Sequence, residues 1–157
     1  MNHRITDNTK SKVVEFGNFK FSFNRYPRLI WYSEYDNYIN EIEITTCDNV
    51  PVVKFQFDFL NAEFLYKDLA YLSLRGDSFI RDLPPNSTKE VIRINGYLNS
   101  SRYDGRYYFA IDKQSSYDGN ISSVKFNMSE DDFVEFLYLF YFHFLIEYGK
   151  DSPIINF

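Results

Sequence analysis

The chain of 157 residues has a single cysteine, Cys47. An internal disulfide is therefore excluded, and a lone thiol points to a reducing compartment. Only two histidines occur, His3 and His143. They are far apart, and Cys47 has no metal-ligand spacing to either, so no metal site is assigned. The six glycines form no phosphate-cradling loop, and no serine stands in a G-x-S-x-G elbow. TTCDNV around Cys47 does not identify a nucleophile. Acidic residues are plentiful, but the sequence alone does not pair them into an acid–base site. No catalytic residue and no cofactor is assigned, and the expectation is a protein that is not an enzyme. Cations are also in short supply, 17 Lys and Arg against 22 Asp and Glu, which argues against indiscriminate phosphate binding over the whole surface. The opening MNHRITDNTKSK has no apolar stretch, so no secretory signal is expected.

What the chain does have is aromatic rings. Seventeen Phe and fourteen Tyr make aromatics 20% of the residues. Each buries a large area, so a chain of this length can build a substantial core. Some rings should be left over for a surface, and tyrosine suits contact surfaces. The charge is unevenly spread. Residues 1–28 carry six basic and two acidic groups, and residues 29–70 two and eight. Residues 71–128 carry eight and six, and residues 129–157 one and six.

Residues 1–11 read as a flexible tail and 12–157 as one domain. Lys12 to Asn24 alternates, with Phe19, Phe21 and Phe23 on one side, which predicts a half-buried strand. Arg28 to Ser33 is a short apolar run and a second strand. Tyr38 to Thr46 alternates again, and Val52 to Phe59 most clearly, with Val53, Phe55, Phe57 and Phe59 opposite Lys54, Gln56 and Asp58. Asn61 to Leu74 changes to helical spacing through Phe64, Leu65, Leu69 and Leu72. Arg81 to Ser87, with two prolines, reads as a loop. Three strands follow, Glu90 to Leu98, Arg106 to Asp112 and Ile121 to Asn127, with Asp-Gly turns between them.

The segment FVEFLYLFYFHFLIEY, Phe133 to Tyr148, is the most apolar. Ser129 is a good N-cap, with Glu130, Asp131 and Asp132 in the first turn and Gly149 beyond the end. One long helix, Glu130 to Tyr148, is predicted. Its apolar run of about fourteen residues falls short of the roughly twenty that span a bilayer. Its acidic polar side does not suit a membrane surface either. No membrane partner is expected. Asp131, Glu135, His143 and Glu147 recur every four or eight residues and should form one narrow water-facing line. Phe133, Phe136, Leu137, Phe140, Phe144 and Tyr148 should lie on a sheet. The remaining side, Val134, Tyr138, Tyr141 and Leu145, is expected to be a self-association surface, in the simplest case of a homodimer.

The fold class expected is α+β: an antiparallel sheet of about six to seven strands packed against a long C-terminal helix, with one shorter helix inserted mid-chain. Two surface constellations stand out. In WYSEYDNY, Trp31, Tyr32, Tyr35 and Tyr38 interleave with Glu34 and Asp36, a pattern suited to a basic protein partner. In SSRYDGRYYF, Arg102, Tyr103, Arg106 and Tyr107 could hold phosphates and stack bases.

The last third of the chain, GRYYFAIDKQ followed by SSVKFNMSEDDFVEFLYLF, runs strand, strand, capped helix. That order resembles the single-strand nucleic-acid-binding modules of the PC4, whirly and PUR type. The resemblance implies a curved antiparallel sheet followed by a helix, and no functional residue is carried over from it. The first functional expectation is a small acidic cytoplasmic protein of a bacterium or phage-infected host. It would act by blocking a partner protein, as inhibitors, immunity proteins and phage anti-defence proteins do. The alternative is a single-stranded nucleic-acid-binding protein, against which the overall acidity weighs.

Overall fold

The computed structural model describes residues 10–27, 38–84, 90–100, 105–115 and 118–146. Eight strands form two antiparallel meanders. Sheet A is β1 (Lys10–Phe16), β2 (Phe19–Pro27), β3 (Tyr38–Thr46) and β4 (Pro51–Phe57), paired in that order. Sheet B is β5 (Phe79–Leu83), β6 (Glu90–Ser100), β7 (Gly105–Ser115) and β8 (Ile121–Ser129), likewise in order. Helix α1 (Phe59–Arg75) connects the two, and α2 (Glu130–Phe140) follows β8 and continues as a π-helical turn, Tyr141–Ile146.

The expected single sheet of six to seven strands is thus replaced by two sheets of four. The reason is the connection. A meander strand pairs with its sequence neighbour across a short turn. The 17 residues of α1 break that adjacency between β4 and β5, and a new sheet starts. Each sheet has one apolar face, and each buries it against another layer. The helix lengths are also reversed. The mid-chain helix has 17 residues and the C-terminal α-helix 11.

The first predicted strand, Lys12 to Asn24, is a hairpin. Gly17 and Asn18 form its two-residue loop, with Phe16 opposite Phe19 and Gly17 at φ 61°. A glycine with positive φ at the first loop position is what such hairpins favour. Residues 81–83, expected to open a loop, instead complete β5. The strand from Arg28 to Ser33 lies outside the described residues, as do the tail residues 1–9.

Asp58 caps α1, accepting from the Asn61 backbone N–H at 2.9 Å. Gly76, at φ 70°, closes it by donating to the Leu72 carbonyl at 3.0 Å. Ala62, Leu65, Leu69 and Leu72 form its buried stripe. On α2 the Ser129 hydroxyl accepts from the Asp132 N–H at 3.2 Å, as its sequence predicts.

One core joins both sheets. Phe21 of sheet A meets Phe126 of sheet B edge-on, with ring centroids 5.1 Å apart. Helix α2 wedges between them. Phe133 packs on Tyr107 and Phe109 of sheet B, at 4.3 and 5.4 Å. Phe136 packs on Phe16, Phe21 and Phe23 of sheet A, at 5.9, 5.8 and 5.6 Å.

The π-helical turn overturns one expectation. His143 does not lie on a water-facing line. It is buried, with its ring centroid 6.3 Å from Phe23 and 4.9 Å from Phe144. A π turn takes more residues than an α turn, so the faces beyond it are rotated. His143 and Phe144 both turn inward.

Candidate nucleic-acid interface

Alternation along β6, β7 and β8 divides their side chains cleanly. Ile92, Ile94, Tyr107, Phe109, Ile111, Val124 and Met128 are buried on the inner face. The outer face can be followed in rows across the strands by register. Tyr97 lies opposite Tyr108 and Tyr108 opposite Asn127. One step to one side, Asn99 faces Arg106 and Arg106 faces Ser129. One step to the other, Ile80 faces Asn95, Asn95 faces Ala110, and Ala110 faces Lys125.

The Tyr97 and Tyr108 rings are stacked, with centroids 5.2 Å apart and planes 10° from parallel. Tyr97 is 50% exposed. Its position explains why: β5 begins at Phe79, opposite Gly96, so no β5 residue pairs with Tyr97. Gly96 itself is required by the layer beneath. A Cβ there would come within 2.5 Å of Phe79 Cε1 and 3.1 Å of Phe109 Cε1. Arg106 Nε donates to Asn127 Oδ1 at 2.6 Å, which orients the guanidinium beside the stacked pair. Lys125 is exposed on the adjacent row. This end of the face therefore offers a two-ring platform, two cations and the amides of Asn95, Asn99 and Asn127.

The residues proposed from SSRYDGRYYF are divided. Arg102 and Tyr103 lie outside the described residues. Arg106 faces outward, but Tyr107 is only 5% exposed, packed on Phe133. Burial first, then the nearby Glu130 carboxylate, pushes the Tyr107 hydroxyl above its ordinary pKa. It cannot stack a base. Tyr108 takes the outward position instead, and Tyr97 and Lys125 complete the group. The signal was present in the sequence: Phe109 and Ile111 are the apolar positions of β7, and period two puts Tyr107 with them.

Of the acidic aromatic stretch, Trp31, Tyr32, Glu34, Tyr35 and Asp36 lie outside the described residues. Tyr38 starts β3, and the Arg25 guanidinium lies over its ring, 4.0 Å from the centroid. Of the proposed self-association residues, Val134, Tyr138 and Tyr141 are exposed, and Leu145 is partly buried against the core. Phe142 joins them, stacked on Tyr138 at 5.9 Å. Leu60, Phe64, Tyr71 and Leu74 make a second exposed apolar stripe, along α1.

No group of three or more His, Cys, Asp or Glu able to hold a metal occurs among the described residues. Among them, no helix is long and apolar enough to cross a membrane.

No family model and no curated protein matches this chain. Solved structures do. The fold is shared with two plant proteins. The structure of the plant transcriptional regulator PBF-2 matches with a TM-score of 0.53, at 10% identity, over 89% of this chain and 90% of that one. WHY1 from Arabidopsis thaliana matches with a TM-score of 0.50, at 9% identity, over 88% of this chain and 92% of that one. At such identities the likeness is one of architecture.

Proposed function

We propose that this protein binds single-stranded nucleic acid on the outer face of sheet B and is a binding protein, not a catalyst. The observation that carries the reading is the Tyr97–Tyr108 stack beside Arg106 and Lys125 on a solvent-facing sheet. Stacking on aromatic rings is worth about 1–3 kcal/mol per base and tolerates any sequence, because every base has a π face. The open face of Tyr97 extends the existing two-ring stack by one base. Arg106 and Lys125 stand close enough to meet the adjoining phosphates.

The whirly-type resemblance of the last third supports the same reading. So does the fold shared with WHY1 and with PBF-2, the latter a plant transcriptional regulator. The overall acidity is compatible with it. The rows at the tyrosine end of the face carry no acid among their described residues; the nearest, Glu130 to Asp132, belong to the first turn of α2. The protein-blocking reading draws no such support from the compared structures.

The exposed side of α2 and its π-helical continuation, with Val134, Tyr138, Tyr141 and Phe142, is the proposed self-association surface of the same molecule. Light scattering across a dilution series tests it. A mass that stays monomeric at all concentrations sinks it.

The interface is tested by fluorescence anisotropy with a labelled oligothymidylate at low salt. Binding that weakens steeply with added salt, and weakens again in Tyr97→Ala, is expected. No binding at low salt removes the proposal.

A further inference from the structure

The outer face of sheet B has a second row, and its chemistry is opposite. Asp82, Arg93, Asp112 and Ser123 lie in register across all four strands. Arg93 looks like a third phosphate ligand, but its guanidinium fork is already filled. Nε donates to Asp82 Oδ1 at 2.7 Å and Nη2 to Asp82 Oδ2 at 3.1 Å. Asp112 faces Arg93 from the other side and accepts from the Ser123 hydroxyl at 2.6 Å. Two carboxylates thus accompany one cation. The row beyond, Val91, Gln114 and Ile121, adds no charge.

We propose that the Asp82–Arg93–Asp112–Ser123 row is an electrostatic boundary that confines a bound strand to the tyrosine end of sheet B and limits its footprint. The inference rests on the reading that this face binds single-stranded nucleic acid. Distances decide it. Alternate residues along a strand are about 7 Å apart, so the boundary row stands about 7 Å from the Lys125 row and about 13 Å from the tyrosines. The screening length is about 10 Å at 0.1 M salt. A phosphate beside Tyr97 therefore barely senses Asp82 and Asp112. A phosphate moved past Lys125 meets both at short range, with Arg93 already engaged. The strand's route is then across the β-strands, along the Tyr97–Tyr108–Asn127 row, and not down the length of the sheet.

The raised pKa of Arg93 and the lowered pKa of Asp82, each caused chiefly by their mutual hydrogen bonds, agree with a tight pair. Both residues are exposed, so their substitution leaves the core untouched.

The experiment compares wild type with Asp82→Asn/Asp112→Asn, using oligothymidylates of about four to sixteen nucleotides. Wild type should show a salt dependence of about two phosphates, with a logarithmic slope near 1.4. In the double variant Arg93 is released. The slope should rise by about 0.7, affinity should tighten at least about fivefold, and the shortest oligonucleotide that binds fully should lengthen. Arg93→Ala should change affinity less than about twofold in wild type, yet erase the gain in the double variant.

An unchanged slope and length in the double variant, with Tyr97→Ala still weakening binding, overturns the boundary and leaves the interface standing. So does Arg93→Ala costing wild type as much as Arg106→Ala. Absence of any binding by wild type overturns the underlying reading instead.

Discussion

The outer faces of the two sheets invite comparison, since both sheets have four strands and share one core. On sheet A the aromatic residue is closed off. The Tyr26 hydroxyl donates to Glu41 Oε2 at 2.8 Å and accepts from Gln56 Nε2 at 3.0 Å. Glu41 also accepts from Gln56 and Asn24, and is 8% exposed. On sheet B, Tyr97 and Tyr108 stack on each other, and the Tyr97 ring is half open to solvent. The same residue type thus does two jobs. A tyrosine whose hydroxyl is engaged by a buried carboxylate is a structural rivet. One whose ring stands clear, beside cations, is a surface for a planar ligand.

The comparison breaks first at the core the sheets share. Phe136→Ala removes the ring that holds α2 against Phe16, Phe21 and Phe23. A loss of about 3–5 kcal/mol is expected. Chemical denaturation should show one transition for both sheets, since the core is continuous. Two separated transitions would mean that the sheets are independent units.

Gly96→Ala loads sheet B alone. Its Cβ would collide with the Phe79 ring and crowd that of Phe109, so the Phe79 side chain has to move to make room. A cost of about 1–3 kcal/mol is expected from such overpacking. Because Gly96 precedes Tyr97, oligonucleotide binding should weaken as well. Unaltered stability would show that Phe79 yields freely.

How much of this was legible depended on whether the pattern was local. Tyr38–Thr46 is found at its observed bounds because Ile42 and Ile44 alternate with Glu41 and Glu43. The caps at Ser129 and Gly76 are equally local, though only the first was read. The β1–β2 hairpin was missed, yet it left a trace. Phe16 and Phe19 are three apart and both face inward or toward the core, whereas a continuous strand requires even spacing. The strand β5 hid behind Arg81 and Asp82, which look like loop residues until their partners are known. Those are Asp68 on α1 at 2.6 Å and Arg93 on β6 at 2.7 Å. Such long-range pairs leave no periodicity. Neither does the π-helical turn that carries His143 inward. The division into two sheets is the same kind of fact, set by where the chain leaves β4.

The functional side of the comparison is sharpened by Tyr97→Ala against Tyr26→Phe. The first should weaken oligothymidylate binding by about 1–3 kcal/mol, roughly five- to 150-fold, with folding stability nearly unchanged. The second should leave binding within twofold of wild type, about 0.4 kcal/mol. Equal losses from both would mean that binding is not confined to sheet B.

Tyr26 also predicts the smallest effect, one of pH. Its hydroxyl is pushed up to about 12, first by burial, then by the hydrogen bond to Glu41 and that residue's charge. An unfolded tyrosine titrates near about 10. The folded state therefore holds this proton more tightly. The resulting stability is fully present below about pH 10 and is lost as pH rises through about 12. Much of the side chain remains near solvent, so screening keeps the contribution small. Removing the hydroxyl should cost about 1 kcal/mol at neutral pH, since it leaves Glu41 and Gln56 each short of a partner. The informative reading is the slope. Thermal unfolding between about pH 9 and 12 should fall less steeply in Tyr26→Phe than in wild type. If Tyr26→Phe keeps the wild-type slope, the contact with Glu41 and Gln56 is not what holds this proton.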